Sequence, residues 1–172
     1  MLGCSVSVSG AITTATAAPR PATASVGAVA NVVIYSINSD GAYFQAIVNR
    51  AIGDHGPAVT VHPDGKVDPE HTSELELELK HGSFRREIAG LAEKFRQSTG
   101  HEPMYASTCS DFVRVTGSLP IVTGSGTGLY KGITGSFAAT LTGDEVQATP
   151  CTQSDQLVRQ ILLLTGSGTV SF

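Results

Sequence analysis

Two stretches of this chain hold residue types that could do chemistry. In the first, His62, Asp64, Asp68, Glu70 and His71 crowd one short loop, and imidazoles with carboxylates are common ligands of divalent metals. Their spacing fits neither an EF-hand loop nor two histidines one helical turn apart. A solvated turn is the better reading, and no metal or other cofactor is expected. The second stretch is Gly124-Ser-Gly-Thr-Gly-Leu-Tyr-Lys-Gly-Ile-Thr-Gly-Ser-Phe137. A phosphate-binding loop needs Gly-x-x-x-x-Gly-Lys-Ser/Thr leading into a helix, whereas here Lys131 precedes Gly132-Ile133 and strand-like residues follow. A dinucleotide fingerprint opens a helix with Gly-x-Gly-x-x-Gly, and residues 126–132 give a different spacing with no helix after it. The Gly-x-Ser-x-Gly elbow of serine hydrolases is absent.

Single residues add two candidates for ligand binding, Tyr130 and His81. Glycines on both sides of Tyr130 let its ring lie against neighbouring backbone, so it packs or, facing inward, serves as an acid or hydrogen-bond donor. His81 shares parity with Leu75, Leu77 and Leu79, which points it inward unless Gly82 breaks the register and leaves it on a rim. Asp111 and Arg114 are three apart on one strand and so point to opposite faces. Whichever faces inward needs a partner. No residue is identified as catalytic.

The elements that must position these groups are mostly strands. Asn31–Ile37 and Tyr43–Ile52 read as a hairpin around Asn38-Ser39-Asp40-Gly41, and Ala58–His62 as a short strand before Pro63-Asp64-Gly65. In Ser73–Lys80, Glu74, Glu76 and Glu78 alternate with Leu75, Leu77 and Leu79, which predicts leucines in a core and carboxylates in water. Ile88, Leu91, Ala92 and Phe95 fall on one helical stripe, predicting a helix over Arg86–Ser98 that ends at Thr99-Gly100-His101-Glu102-Pro103. Beyond it, Phe112–Thr116, Leu119–Thr123, Leu129–Ile133, Phe137–Leu141, Leu157–Leu164 and Thr169–Phe172 read as strands. Thr-Gly-Ser recurs at 116–118, 123–125, 134–136 and 165–167, as one turn or bulge reused where a sheet must bend.

The chain of 172 residues fits one domain, and with 19 glycines and only 15% charged residues it favours short strands over a helical bundle. A net charge of −4 without a basic cluster argues against nucleic-acid binding, and no apolar run is long enough for a membrane-spanning helix. Residues 1–29 read as an export-signal remnant and linker, with a small-x-small site at Ala22-Thr23-Ala24, and residues 30–172 as the domain. The alternative is a polar arm on a cytosolic protein. A secreted or extracytoplasmic protein is expected, and there the even pair Cys109 and Cys151 forms a disulfide, two buried free thiols being the alternative.

The run Gly126-Thr-Gly-Leu-Tyr-Lys-Gly-Ile-Thr-Gly-Ser136, with Lys80-His81-Gly82-Ser83-Phe84 upstream, resembles small secreted actinobacterial β-barrel proteins of the allene oxide cyclase-like kind. The resemblance covers residues 73–172. It implies an all-β, antiparallel, eight-stranded closed barrel with a small apolar lumen, and Cys109 sits where a cysteine often precedes the glycine-rich hairpin. The helix over 86–98 and the segment 144–164 depart from the simplest form of that fold. The resemblance implies no activity and carries over no site residues. Three functions follow as alternatives: binding of a small apolar ligand in the lumen, a structural or surface-interaction barrel with a filled lumen, and a metal-free isomerase or cyclase. The oligomeric state is not set by the sequence.

Overall fold

The computed structural model describes residues 27–37, 43–68, 73–99, 105–148, 151 and 157–172. They form eight strands and one α-helix: β1 (Ala28–Ile37), β2 (Tyr43–Arg50), β3 (Asp54–Val61), β4 (Glu74–Leu79), β5 (Gly82–Glu87), α1 (Ala89–Thr99), β6 (Ser110–Pro120), β7 (Thr134–Gln147) and β8 (Leu157–Ser171). The all-β expectation holds. The expected leader and linker lie almost wholly outside the described residues, but Ala28 and Val29 already belong to β1.

Hydrophobic alternation sets the strands, and pairing gives one antiparallel sheet in the order β5-β4-β3-β2-β1-β8-β7-β6. Ala30, Val32 and Ile34 of β1, Leu75 and Leu77 of β4 and Val113 of β6 are buried on one face. The sheet curls strongly: Arg86 on edge strand β5 reaches Phe137 on β7 at the other end of the order, 3.9 Å from its ring centroid. The expected closed barrel does not form. Edge strands β5 and β6 form no ladder; a single bridge joins Arg86 to Ile121, the residue after β6.

Two features account for that open seam. The helix packs on the concave side beside β6, where Leu91 lies on Gly117 and Phe95 on Gly143, two inward positions with no side chain in the way. The edge of β5 is then satisfied by the β6–β7 connection instead of a strand. Val122 N–H donates to Arg85 O (2.9 Å), Thr127 N–H to Ser83 O (2.8 Å) and Leu129 N–H to His81 O (3.0 Å). In return Ser125 Oγ accepts from Arg85 N–H (2.9 Å) and Thr127 Oγ1 from Ser83 N–H (2.8 Å). Side-chain oxygens thus stand in for missing strand carbonyls, and residues 121–130 form a strap along β5.

Other expectations shift for local reasons. The helix begins at Ala89, because Arg86 and Glu87, which the periodicity placed at the helix start, complete β5. Leu129–Ile133 is no strand: Gly128–Tyr130 makes a 3-10 turn within the strap. Phe112–Thr116 and Leu119–Thr123 fuse into β6 as far as Pro120, and the last two expected strands fuse into β8. Thr-Gly-Ser at 116–118 and 165–167 is therefore neither turn nor bulge. Gly117 and Gly166 both pair with Ala139, giving a row of small residues across the sheet. Leu75, Leu77 and Leu79 are buried as expected, but Glu74 is not in water. Arg85 covers it with an ion pair of 2.8 Å.

Cys109, just before β6, and Cys151, after β7, form the expected disulfide with Cα atoms 5.1 Å apart. Closing 42 residues of sequence, it stabilises by about 4 kcal/mol in the chain-entropy treatment. Cys151→Ser is expected to lose about that much, read as a shift in the urea midpoint; an unshifted midpoint would refute the assignment. The strap makes its own prediction. A Cβ on Gly128, at φ +55°, would lie 2.3 Å from His81 O, so Gly128→Ala is expected to cost about 1–3 kcal/mol. Gly90, in open space in α1, is the control: Gly90→Ala should gain up to about 1 kcal/mol.

Candidate functional site

The strap places Tyr130 at one end of the concave face. Its ring is buried, edge-on to Phe84 at 5.4 Å and to Phe172 at 5.8 Å. Its hydroxyl donates to Asp54 Oδ2 at 2.5 Å. Asp54 opens β3 on the same inward parity as Ala58 and Thr60, and its side chain is 1% exposed. The turn between β4 and β5 brings His81 to the same oxygen twice: backbone N–H and ring Nδ1 each lie 3.0 Å from Asp54 Oδ2. His55 N–H donates to Oδ1 at 2.8 Å. The two sequence candidates, Tyr130 and His81, are thus joined through a carboxylate that neither motif nor periodicity marked. Gly53-Asp54-His55-Gly56 reads as a turn, so the only signal for Asp54 was its parity with Ala58.

The electrostatics follow from these bonds. Burial works to raise the Asp54 pKa, but the hydrogen bonds from Tyr130, His55 and His81 together hold it below the ordinary carboxylate value. Burial first, then the Asp54 carboxylate, push the Tyr130 phenol up, so it stays protonated and donating. With Asp54 ionised, Nδ1 of His81 carries the proton. The imidazole is at a half-exposed rim, 44% accessible. Among the described residues no hydroxyl or thiol is hydrogen-bonded to that ring, so an Asp–His pair is present without a nucleophile.

A second polar group lies deeper. Arg86 is fully buried, and none of its three guanidinium nitrogens has a hydrogen-bond partner among the described residues. Its Cζ sits over the rings of Phe137 and Phe84, at 3.9 and 5.2 Å from the centroids. Burial alone pulls its pKa down to about 9, which leaves it charged at neutral pH. Register puts Thr60, Leu75 and Arg86 in one transverse row, and Thr60 Oγ1 is likewise buried without a partner. Arg86 escaped the sequence reading because it was assigned to the helix rather than to a strand shared with Phe84.

The remaining candidates scatter. His62 pairs with Asp68, and Asp64 with Lys66 at 3.0 Å, while Glu70 and His71 lie outside the described residues. Asp111 takes the inward parity of Val113, and Arg114 is exposed. Comparison with models of protein families, with curated proteins and with solved structures finds no match.

The Asp54 cluster is tested by acid. A folded pKa below the unfolded value gives stability that is present above about pH 3.9 and is lost as pH falls through the folded value. Thermal unfolding should show that acid limb in the native protein and a flatter one in Asp54→Asn. Tyr130→Phe keeps both ring contacts and removes a bond to a charged group, so a loss of about 1.5–3 kcal/mol in urea unfolding is expected at pH 7.

Proposed function

We propose that this protein binds a small, largely apolar molecule against the concave face of its curled sheet, with the molecule's polar end at Arg86. The observation that carries this reading is a buried guanidinium with no hydrogen-bond partner among the described residues. An isolated buried charge costs several kcal/mol, and stacking on two phenyl rings recovers only about 2 kcal/mol of it. A bound molecule supplying acceptors would offset the rest. The surroundings suit such a guest: α1 covers one end of the concavity and Tyr130 the other. The seam between β5 and β6 carries no strand ladder, the edge of β5 being held by the irregular strap instead. In this reading the chain is an extracytoplasmic barrel-like protein of the allene oxide cyclase-like kind, in keeping with its Cys109–Cys151 disulfide and the run Gly126–Ser136.

A filled structural barrel is the second reading, favoured by the continuous apolar cluster that runs from Ala30 through Phe84 to Val170. A cyclase or isomerase has less support, since the Asp54 carboxylate already receives four hydrogen-bonding groups. Arg86→Met separates the first two readings. If Arg86 awaits a ligand, removing the unpaired charge leaves the ligand-free protein as stable or up to about 4 kcal/mol more stable. Native mass spectrometry should then show a small molecule retained by the native protein and lost from the variant. A variant destabilised by several kcal/mol with no retained molecule in either form would support the filled barrel.

A further inference from the structure

The chemistry around Arg86 says what the polar end of such a guest is, an inference that rests on the binding reading above. We infer that the site takes a monocarboxylate, its two oxygens meeting the guanidinium edge-on. Three observations lead there. The first is charge. Arg86 is the one cation among the buried described residues, whose polar members are otherwise Ser36, Asp54, Thr60 and Glu74. A single negative charge neutralises it, whereas a dianion would carry an excess charge into an apolar core. Neither buried acid is available for this. Glu74 is held by Arg85 at 2.8 Å, and Asp54 is bonded to Tyr130 and His81 at the far end of β3.

The second is shape. With Cζ 3.9 Å from the centre of the Phe137 ring and 5.2 Å from that of Phe84, the guanidinium is in cation–π contact with both. No described residue accepts from its N–H groups, and a planar carboxylate matches that fork with two parallel hydrogen bonds. A tetrahedral phosphate or sulfate has a third and fourth oxygen that would press on the rings. The third is Thr60. Its unpartnered hydroxyl lies on the same inward row, separated from Arg86 by Leu75, and can donate to a carboxylate oxygen or to a substituent on the guest. The phenyl rings of Phe84 and Phe137 beside the fork call for a compact apolar body behind the carboxylate.

Isothermal titration of the full chain at pH 7 tests this with two matched sets: benzoate, benzyl alcohol and phenyl phosphate, and hexanoate, hexanol and hexyl phosphate. In at least one set the acid should bind at least tenfold more tightly than its alcohol and more tightly than its phosphate. Arg86→Met should erase the preference, and Arg86→Lys, which keeps the charge without the fork, should shrink it. An alcohol that binds as well as its acid, or a phosphate that binds better, overturns the carboxylate inference and leaves the binding reading intact. If no probe binds and a hydrophobic dye gives no signal, the binding reading itself fails.

Discussion

An edge strand must have its backbone groups satisfied, and how β5 meets that demand organises one whole end of the molecule. The partner is the strap of residues 121–130, and it bonds through Ser125 and Thr127 side chains as well as through its own amides. Because the strap is irregular, it can turn at Gly128–Tyr130 and drop the Tyr130 ring over the end of the concave face. The hydroxyl then meets Asp54, which gathers the turn at His81. A ninth strand in the same place would have satisfied the edge but could not have delivered a tyrosine to that point. The open seam and the Asp54 cluster are two results of one solution.

The two buried charges illustrate opposite outcomes of burial. Asp54 and Arg86 are both nearly inaccessible and lie on the same concave face. Asp54 is surrounded by donors, so burial leaves its ionised form favoured. Arg86 lies over the phenyl faces of Phe84 and Phe137, and desolvation acts on it unopposed. Their separation along β3 and β5 keeps them from neutralising each other. One charge is therefore satisfied within the fold, and the other is left with five donors that no described residue accepts from.

What the sequence made legible is what obeys a period. Ser73–Lys80 alternates cleanly, and its leucines are where alternation puts them. The helical stripe from Ile88 to Phe95 is real, and the even pair of cysteines forms its bridge. What stayed hidden depends on contacts far apart in the chain. Arg86 and Glu87 extend a helical pattern backwards as readily as they end a strand, and only pairing with Leu75 and Glu74 decides it. Thr-Gly-Ser looked like punctuation because glycine and serine are common in turns. In the sheet Gly117 makes room for Leu91, a partner from a different element. Glu74 looked solvated because an ion pair diagonal across two strands leaves no mark on the periodicity of either. Tyr130 and His81 could be singled out one at a time, but the residue that unites them lay in what reads as a turn.

The place of β8 in the sheet bears on how the chain reaches this state. The last of the eight described strands lies between β1 and β7, with Val170 opposite Ala28 and Gly135. A nascent chain therefore holds β1 through the synthesis of six further strands without the neighbour it will have on that side. Such distant pairings carry a large loop-closure entropy and fold slowly. In the interval β1, rich in valine and isoleucine, presents an unpaired edge on which another copy could add a strand. The architecture thus ties productive folding to the arrival of β8 and puts the early β1–β2 hairpin under pressure to stay separate until then.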